Sequence, residues 1–260
     1  MRNKLTNEFA VCGLNAVNAL GEIHPEQINR LFLREDRLAL FGAVCRQLAV
    51  RKRPYKLCDD EELERICKSN RHQGVVAMIT EPQTLALTHD DLNLWAQEGK
   101  TGIVLHSIEN DHNLGAIVRS AAFFDADFVV ESALDEETLL TTSAYRVAEG
   151  GMEHVMFRTV RNTAAFLKDA SQVLITIGAE PRSRWRLGDL RMIVNDLSTR
   201  LPVRKTRPGI ALVVGNKETS LPKEVKERCA ALVRIPGSGK LDSLNVAQAA
   251  TLFLHEIYEL

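Results

Sequence analysis

Residues 232–257 read LVRIPGSGKLDSLNVAQAATLFLHEI, and the three parts of this stretch decide the fold of the chain. The apolar segment LVRIP predicts a buried strand, and VAQAATLFLHEI has the apolar spacing of an amphipathic helix. The polar loop between them ends in Ser243 and Asn245, two residue types that commonly cap helix N-termini. A strand, a polar loop and a helix in this order predict an α/β architecture.

The rest of the C-terminal half repeats this alternation. Apolar segments typical of strands read GIVLHSI, DFVVES, QVLITIGA, IALVVG and ALVRIP. Helical patterns read NLGAIVRSAAFF, TAAFLKDA and LPKEVKERC. Strands that are apolar throughout and separated by helices predict a mostly parallel sheet covered on both faces. Ligands of such sheets bind at the carboxyl ends of the strands, so we expect the functional residues there.

The first 80 residues predict a smaller α/β domain, since strand-like INRLFLR, PYKLC and GVVAMIT alternate with helical RLALFGAVCRQLAV and DEELERICKS. Residues 81–98 contain a proline followed by a polar helical pattern, which we interpret as a linker that packs as a short helix. The predicted domains are therefore 1–80 and 99–260, joined by 81–98.

Composition narrows the class of protein. A hydrophobic share of 45% with 26% charged residues is typical of an ordinary globular chain of 260 residues. The net charge of -1 gives no overall positive field, so any contact with nucleic acid must be local. No segment has the length of a signal peptide core or a membrane span. Five cysteines without a CxxC pair predict free thiols and a reducing cytoplasm.

Several familiar motifs are absent. PGSGK, residues 236–240, lacks the earlier glycine of a phosphate-binding loop and is followed by Leu241 instead of Ser or Thr. No GxGxxG follows the strand GIVLHSI, so the dinucleotide-binding fingerprint is missing. The seven histidines form no HxxxH or HExxH pair, and the sequence predicts no metal site.

Small and polar residues instead follow the predicted strands. Asn113 and Gly115 are expected at the turn from strand into helix in NLGAIVRSAAFF, with Arg119 about one helical turn further. An arginine there can bind a phosphate or stabilise a developing oxyanion, although a surface arginine beside a helix cap fits equally well. The strand IALVVG breaks at Gly215 into a second polar loop, NKETSLP.

Together, NLGAIVRSA, VVGNKETSL and IPGSGKLDSLNVAQA resemble, in order and spacing, the three motifs of the SpoU-type (TrmH-type) RNA ribose methyltransferases of the SPOUT superfamily. RVAEGGMEHV, residues 146–155, is similar to the family segment between the first two motifs. The resemblance covers about the last 160 residues. VCGLNAVNAL and NRHQGVVAMI are similar to the ends of the ribosomal-protein-like substrate-binding domain that precedes the catalytic domain in many members.

The resemblance implies that the C-terminal domain is a trefoil-knotted, Rossmann-like parallel sheet. It also implies that the protein acts as a homodimer. It implies methyl transfer from S-adenosylmethionine to a ribose 2′-hydroxyl of tRNA or rRNA, with Arg119 positioning the hydroxyl and stabilising charge. It assigns the cofactor site to Gly215, Ile235, Leu244 and Asn245, and the catalytic site to Arg119, Asn113 and Ser243.

The chain also departs from the family pattern. Lys217 stands where the second motif has glutamate, Glu218 is one position away, and Ser220 replaces a glycine. Gly237 and Ala247 replace a methionine and a serine of the third motif. These departures leave a second reading open, a catalytically weak or inactive knotted RNA-binding protein such as an assembly factor. A third interpretation is that the chain is a different enzyme, which acts on another small ligand with a Rossmann-like sheet.

Overall fold

The structure is a computed structural model, and it describes residues 2–3, 8–132, 140–202, 207–216 and 220–260. The strands are β1 (Arg2–Asn3), β2 (Glu8–Cys12), β3 (Ile28–Leu33), β4 (Tyr55–Leu57), β5 (Val75–Thr80), β6 (Leu85–Ala86), β7 (Thr101–His106), β8 (Phe128–Ser132), β9 (Met156–Val160), β10 (Ile175–Ala179), β11 (Trp185–Arg186), β12 (Ile210–Gly215) and β13 (Ala231–Arg234).

The α-helices are α1 (Leu14–Ile23), α2 (Gly42–Val50), α3 (Asp60–Cys67), α4 (His89–Glu98), α5 (Asp111–Phe123), α6 (Thr142–Ala148), α7 (Thr163–Ala170), α8 (Leu190–Ser198), α9 (Lys223–Lys226) and α10 (Val246–Tyr258). Short 3-10 helices span Pro25–Gln27, Glu35–Arg37, Gly151–Glu153 and Leu187–Asp189. None of the helices in the described ranges is both long and apolar enough to cross a membrane.

The first of two compact units comprises Met1–Gln83, Leu114–Arg119 and Leu139–His154. Its sheet has the order β1-β2-β5-β3-β4, with β3 and β4 parallel and the other neighbours antiparallel. β2 was not predicted, because all five of its residues are buried and it therefore shows no alternation of apolar and polar side chains. One buried cluster of this unit contains Ala10, Cys12, Leu63, Cys67, Val76 and Met78.

The second unit comprises Thr84–Asn113, Ser120–Thr138 and Val155–Leu260. Its sheet has the order β11-β13-β10-β12-β7-β8-β9-β6, and every neighbouring pair is parallel. This confirms the α/β class and the parallel sheet expected from the apolar segments. Because the strands are parallel, their carboxyl ends lie at one edge of the sheet and bring distant loops of the chain together.

The stretch 81–98, interpreted above as a linker, contributes from residue 84 onward to the second unit. α4 begins with a capping box in which Thr88 and Asp91 bond each other's backbone amides. On its buried face, Trp95 is fully enclosed and stacks on Phe128 with ring centroids 3.8 Å apart. The segment therefore supplies part of the core beside the parallel sheet of the second unit. The division 1–80, 81–98 and 99–260 stays a prediction.

α5 begins earlier than the sequence predicted. Asn110 caps it by accepting hydrogen bonds from the amides of His112 and Asn113 at 2.9 and 3.2 Å. Gly115, expected at the turn from strand into helix, therefore lies inside the helix. A Cβ there would come within 2.6 Å of the Ala144 carbonyl oxygen, so only glycine lets α5 approach α6 this closely.

Candidate functional site

A cleft of about 680 Å³ lies at the carboxyl ends of three neighbouring strands, β10, β12 and β13. Each strand contributes the residues at its end, and α10 closes one side. The lining includes Ala179, Glu180, Gly215, Ser220, Leu221, Ile235, Gly237, Ser243, Leu244, Val246, Ala249 and Phe253. The strand ends supply backbone polar groups and α10 supplies apolar side chains, so the cleft can hold a ligand with both kinds of surface.

The loop after β13 presents backbone amides to this cleft. Gly237, Ser238 and Gly239 have amides without a hydrogen-bond partner among the residues that the structure describes. Gly239 has φ +79°, and a Cβ at Gly237 would meet no atom within 4 Å. Within the described part of the chain, the loop therefore offers open space and unpaired donors to the cleft.

Glu180 is a buried carboxylate in the cleft, with a side chain only 8% exposed. Burial by itself raises the pKa of this carboxyl, but Lys226, 2.5 Å away, and the Arg182 amide outweigh it, so the pKa lies below its usual range. Glu180 thus stays ionised. Glu180 was not predicted as a site residue, although an acid directly after the apolar strand QVLITIGA was a usable signal.

Ser220 occupies a conformation that suits glycine. Its φ is +54°, in the left-handed region where a side chain costs about 1 kcal/mol. The hydroxyl donates to Glu180 Oε2 at 3.1 Å, which holds the residue there. Replacing the family's glycine by serine therefore leaves this point of the loop in a glycine-like conformation. Lys217 and Glu218, the other departures in this motif, lie outside the described residues.

Asn113 and Asn245 are brought together by the fold, 132 positions apart in the chain. The Asn245 amide donates to Asn113 Oδ1 at 3.1 Å, while its own Oδ1 accepts from the Ala247 amide at 2.8 Å. Asn245 is thus the N-cap of α10, as the plain interpretation of the sequence had it, and it also fixes the first turn of α5. Two of the predicted site residues therefore contact each other directly.

Arg119 forms a separate cluster, in the first compact unit. Its Nη1 lies 3.0 Å from Glu149 Oε1, and the Asn15 amide donates to the other carboxylate oxygen at 3.1 Å. The Arg119 side chain is 58% exposed, so the guanidinium is oriented by Glu149 and still open to a ligand. Glu149 was not predicted, because it became relevant only when α5 and α6 packed side by side.

The predicted residues fall into three groups. Gly215, Ile235, Ser243 and Leu244 line the cleft, Asn113 and Asn245 are hydrogen-bonded to each other, and Arg119 pairs with Glu149. Their assignment to cofactor binding and catalysis stays a prediction. Within the described ranges, no three His, Cys, Asp or Glu side chains come together as metal ligands would.

Residues 100–255, which contain both the cleft and Arg119, match the model of the SpoU rRNA methylase family. This chain belongs to the SpoU rRNA methylase family. Residues 10–85 also match a model described as RNA 2′-O ribose methyltransferase substrate binding, which agrees with the resemblance drawn from VCGLNAVNAL and NRHQGVVAMI.

Relatives of this SpoU family member include two proteins named 23S rRNA (guanosine-2′-O-)-methyltransferase. The one from Nitrosomonas europaea is 29% identical over 98% of this chain and 92% of its own length. The one from Ralstonia nicotianae is 31% identical over 94% of this chain and 92% of its own length. The chain therefore aligns with these proteins through both halves.

Solved structures confirm the fold of this SpoU chain. An AdoMet-bound rRNA methyltransferase from Sinorhizobium meliloti superposes with a TM-score of 0.74 at 20% identity, covering 98% of this chain and 88% of that one. The SpoU methyltransferase AviRb from Streptomyces viridochromogenes, in complex with AdoMet, gives 0.71 at 20% identity, covering 98% and 91%. Both share the α/β architecture along nearly the whole length.

Proposed function

We propose that this chain transfers a methyl group from S-adenosylmethionine to a ribose 2′-hydroxyl of RNA, with ribosomal RNA as the substrate class. The observation that carries the proposal is that the matched region, residues 100–255, folds its second and third motifs into one cleft at the strand ends. The names of the two relatives support rRNA as the substrate.

The residues of the cleft fit S-adenosylmethionine. A volume of about 680 Å³ lies in the range of small-molecule sites. Leu221, Ile235 and Phe253 provide apolar surface for an adenine ring, and the free amides after β13 suit its polar edge. Glu180 is paired with Lys226 and accepts from the Ser220 hydroxyl, so it fixes the second-motif loop at the edge of the cleft. When bound, this cofactor supplies an electrophilic methyl group.

In this proposal Arg119 binds and orients the ribose. Guanidinium groups stay protonated in proteins, so the role that fits Arg119 is to donate hydrogen bonds and stabilise charge on the hydroxyl oxygen as it loses its proton. Glu149 holds the guanidinium in one orientation through its 3.0 Å ion pair. Asn113, which accepts from Asn245, and Ser243 are the other two residues that the family resemblance assigns to catalysis. Positioning of this kind supplies much of the rate gain when two substrates must meet in line.

The trefoil knot and the compartment belong to the same proposal. The family match over residues 100–255 supports the trefoil knot that the resemblance implies. The five cysteines are free thiols, which supports a reducing cytoplasm as the place of action.

Methyl transfer is tested with tritiated S-adenosylmethionine and a 23S rRNA transcript, followed by nuclease digestion and chromatography of the nucleosides. We expect label in one 2′-O-methylated nucleoside. RNA binding without any transfer would replace the proposal with the inactive RNA-binding reading.

Filling the cleft is expected to abolish cofactor binding. Val246, Ala249 and Phe253 line it from one face of α10, at helical spacings of three and four. Ala249→Trp therefore places an indole in the cleft, and calorimetric titration with S-adenosylhomocysteine should show affinity at least tenfold lower than wild type. Gln248→Trp, at the exposed neighbouring position, is the control and should bind as wild type. Equal binding by Ala249→Trp, at unchanged Tm, would place the cofactor elsewhere.

A homodimer is the assembly we propose for the second unit. Ser120 of α5 and Thr251 of α10 share a hydrogen bond of 2.7 Å, and the paired helices leave large apolar side chains in solvent. These are Phe123 (79% exposed), Leu252 (42%) and Tyr258 (51%). Clustered apolar side chains on a surface mark interaction sites, and a second copy of this face would cover them.

Phe123→Glu is expected to convert the dimer into a monomer, because it places a charge at the proposed interface. Light scattering on a sizing column should then give a mass near 29.0 kDa, half that of wild type. Leu40→Glu changes a side chain that is also exposed (56%) but lies in the first unit, and should stay dimeric. A wild-type protein of monomer mass would reject the assembly.

A further inference from the structure

A second cleft, of about 260 Å³, lies in the first compact unit at the beginning of α1. Its polar lining comes from Asn15 of α1, from Arg71 and Gln73 in the turn before β5, and from Arg146 and Glu149 at the end of α6. Gly13 forms the floor. The family match assigns substrate binding to residues 10–85 as a whole and singles out no residue of this cleft.

The cleft is held in place by local contacts. The Gln73 side-chain carbonyl accepts from the Leu14 amide at 2.7 Å and so anchors the first turn of α1. Gly13 has φ +103°, and a Cβ there would sit 3.4 Å from Gln73 Oε1 and 3.5 Å from Arg146 Cγ. The positive φ therefore favours glycine at this position, while a Cβ would only be in ordinary van der Waals contact with these two atoms. The arrangement fixes where the Arg146 side chain leaves the backbone.

The cleft carries a net positive charge. Neither the Arg71 nor the Arg146 guanidinium makes a hydrogen bond or ion pair with a residue in the described ranges. Glu149, the acid of the lining, is already paired with Arg119 and accepts from Asn15. The four charged groups Arg71, Arg146, Arg119 and Glu149 thus sum to two positive charges. The whole chain has a net charge of -1, so this concentration is local.

The ligand that matches two open guanidinium groups is a phosphate, because the planar fork of arginine donates paired hydrogen bonds to its oxygens. Glu149 joins the cleft to Arg119, the residue proposed to act on the ribose. A phosphate in the cleft would therefore lie about one side chain away from Arg119. A phosphodiester of the RNA substrate would lie this close to Arg119, because it is covalently linked to the ribose. A free anion has no such link to the ribose.

We propose that this cleft, through Arg71 and Arg146, binds a backbone phosphate of the RNA substrate next to the ribose that Arg119 orients. The inference rests on the proposed function, since it takes RNA as the substrate. It assigns to the substrate-binding half a defined subsite for one phosphate and makes Glu149 a link between this subsite and Arg119.

The test is the variant carrying Arg71→Gln and Arg146→Gln, compared with wild type in filter binding to a 23S rRNA transcript at several salt concentrations. We expect the Kd to rise about tenfold and the slope of log K against log salt to fall by about 1, the value for one phosphate contact. In the methylation assay KM for RNA should rise about tenfold while kcat changes less than twofold. Titration with S-adenosylhomocysteine should match wild type.

Two matched variants separate a site from general electrostatics. Arg46→Gln with Arg65→Gln removes the same charge from exposed positions of α2 and α3 outside the cleft, and should leave Kd and slope near wild type. Arg71→Lys with Arg146→Lys keeps the charge but loses the paired hydrogen bonds, and should recover the slope but only part of the affinity.

Equal losses of RNA affinity in the cleft variant and in the Arg46/Arg65 variant would overturn the subsite. So would a cleft variant whose Kd and salt slope equal those of wild type. Tight binding of inorganic phosphate to wild type, below about 1 mM and lost in the cleft variant, would reassign the cleft to a free anion. If no RNA is methylated but the cleft variant still loses affinity and slope, the subsite stands and the proposed methyl transfer fails.

Discussion

Replacing Arg119 with alanine is expected to lower kcat for methyl transfer about 100- to 1000-fold, the range for losing one group that stabilises developing charge. The guanidinium is oriented by Glu149 and 58% exposed, so its loss leaves no cavity and should not change Tm. Arg119→Lys keeps the positive charge but loses the planar guanidinium, so we expect its kcat to lie between those of wild type and Arg119→Ala. The measurement is the initial rate with tritiated cofactor and saturating RNA.

The control for this variant is Arg200→Ala, which also removes an exposed arginine from an ion pair, here with Asp196. It should retain wild-type kcat, and both variants should bind S-adenosylhomocysteine like wild type. An Arg119→Ala enzyme that keeps more than half of the wild-type rate would remove Arg119 from the chemistry.

Trp95→Ala is expected to destabilise the protein by about 3–5 kcal/mol, the usual cost of deleting a large buried aromatic side chain. Trp95 is fully buried and stacks on Phe128 at an interplanar angle of 3°. For a domain of this size, the loss corresponds to a fall in Tm of about 10 °C. Scanning calorimetry or fluorimetry measures it.

Two companion variants test whether the packing of α4 causes the fall in Tm. Trp95→Phe should cost much less, because it keeps a ring against Phe128 and removes an indole N–H that has no hydrogen-bond partner within the described part of the chain. Leu94→Ala, at the exposed neighbouring position, should leave Tm nearly unchanged. A Trp95→Ala protein as stable as wild type would mean that residues 81–98 behave as the simple linker expected from their sequence.

The ion pair between the buried Glu180 and the partly exposed Lys226 lies outside all three motifs of the sequence. The second motif has Lys217 where the family has an acid, and the sequence offered Glu218 as a substitute. The structure places Glu180, from a different strand, in the cleft beside Ser220. Its position after a strand was visible in the sequence, but its contact with Ser220 was not, because β10 and β12 become neighbours only when the parallel sheet forms.

The sequence by itself determined the α/β class, the parallel sheet, the family and the loops that line the cleft. It could do so because strand and helix periodicity and the order of short motifs are local properties of the chain. Only the tertiary structure decided that Asn113 contacts Asn245, that Glu149 orients Arg119, and that α4 is core. These contacts join positions up to 132 residues apart, and no local pattern records which distant side chains the packed helices and strands bring within bonding distance.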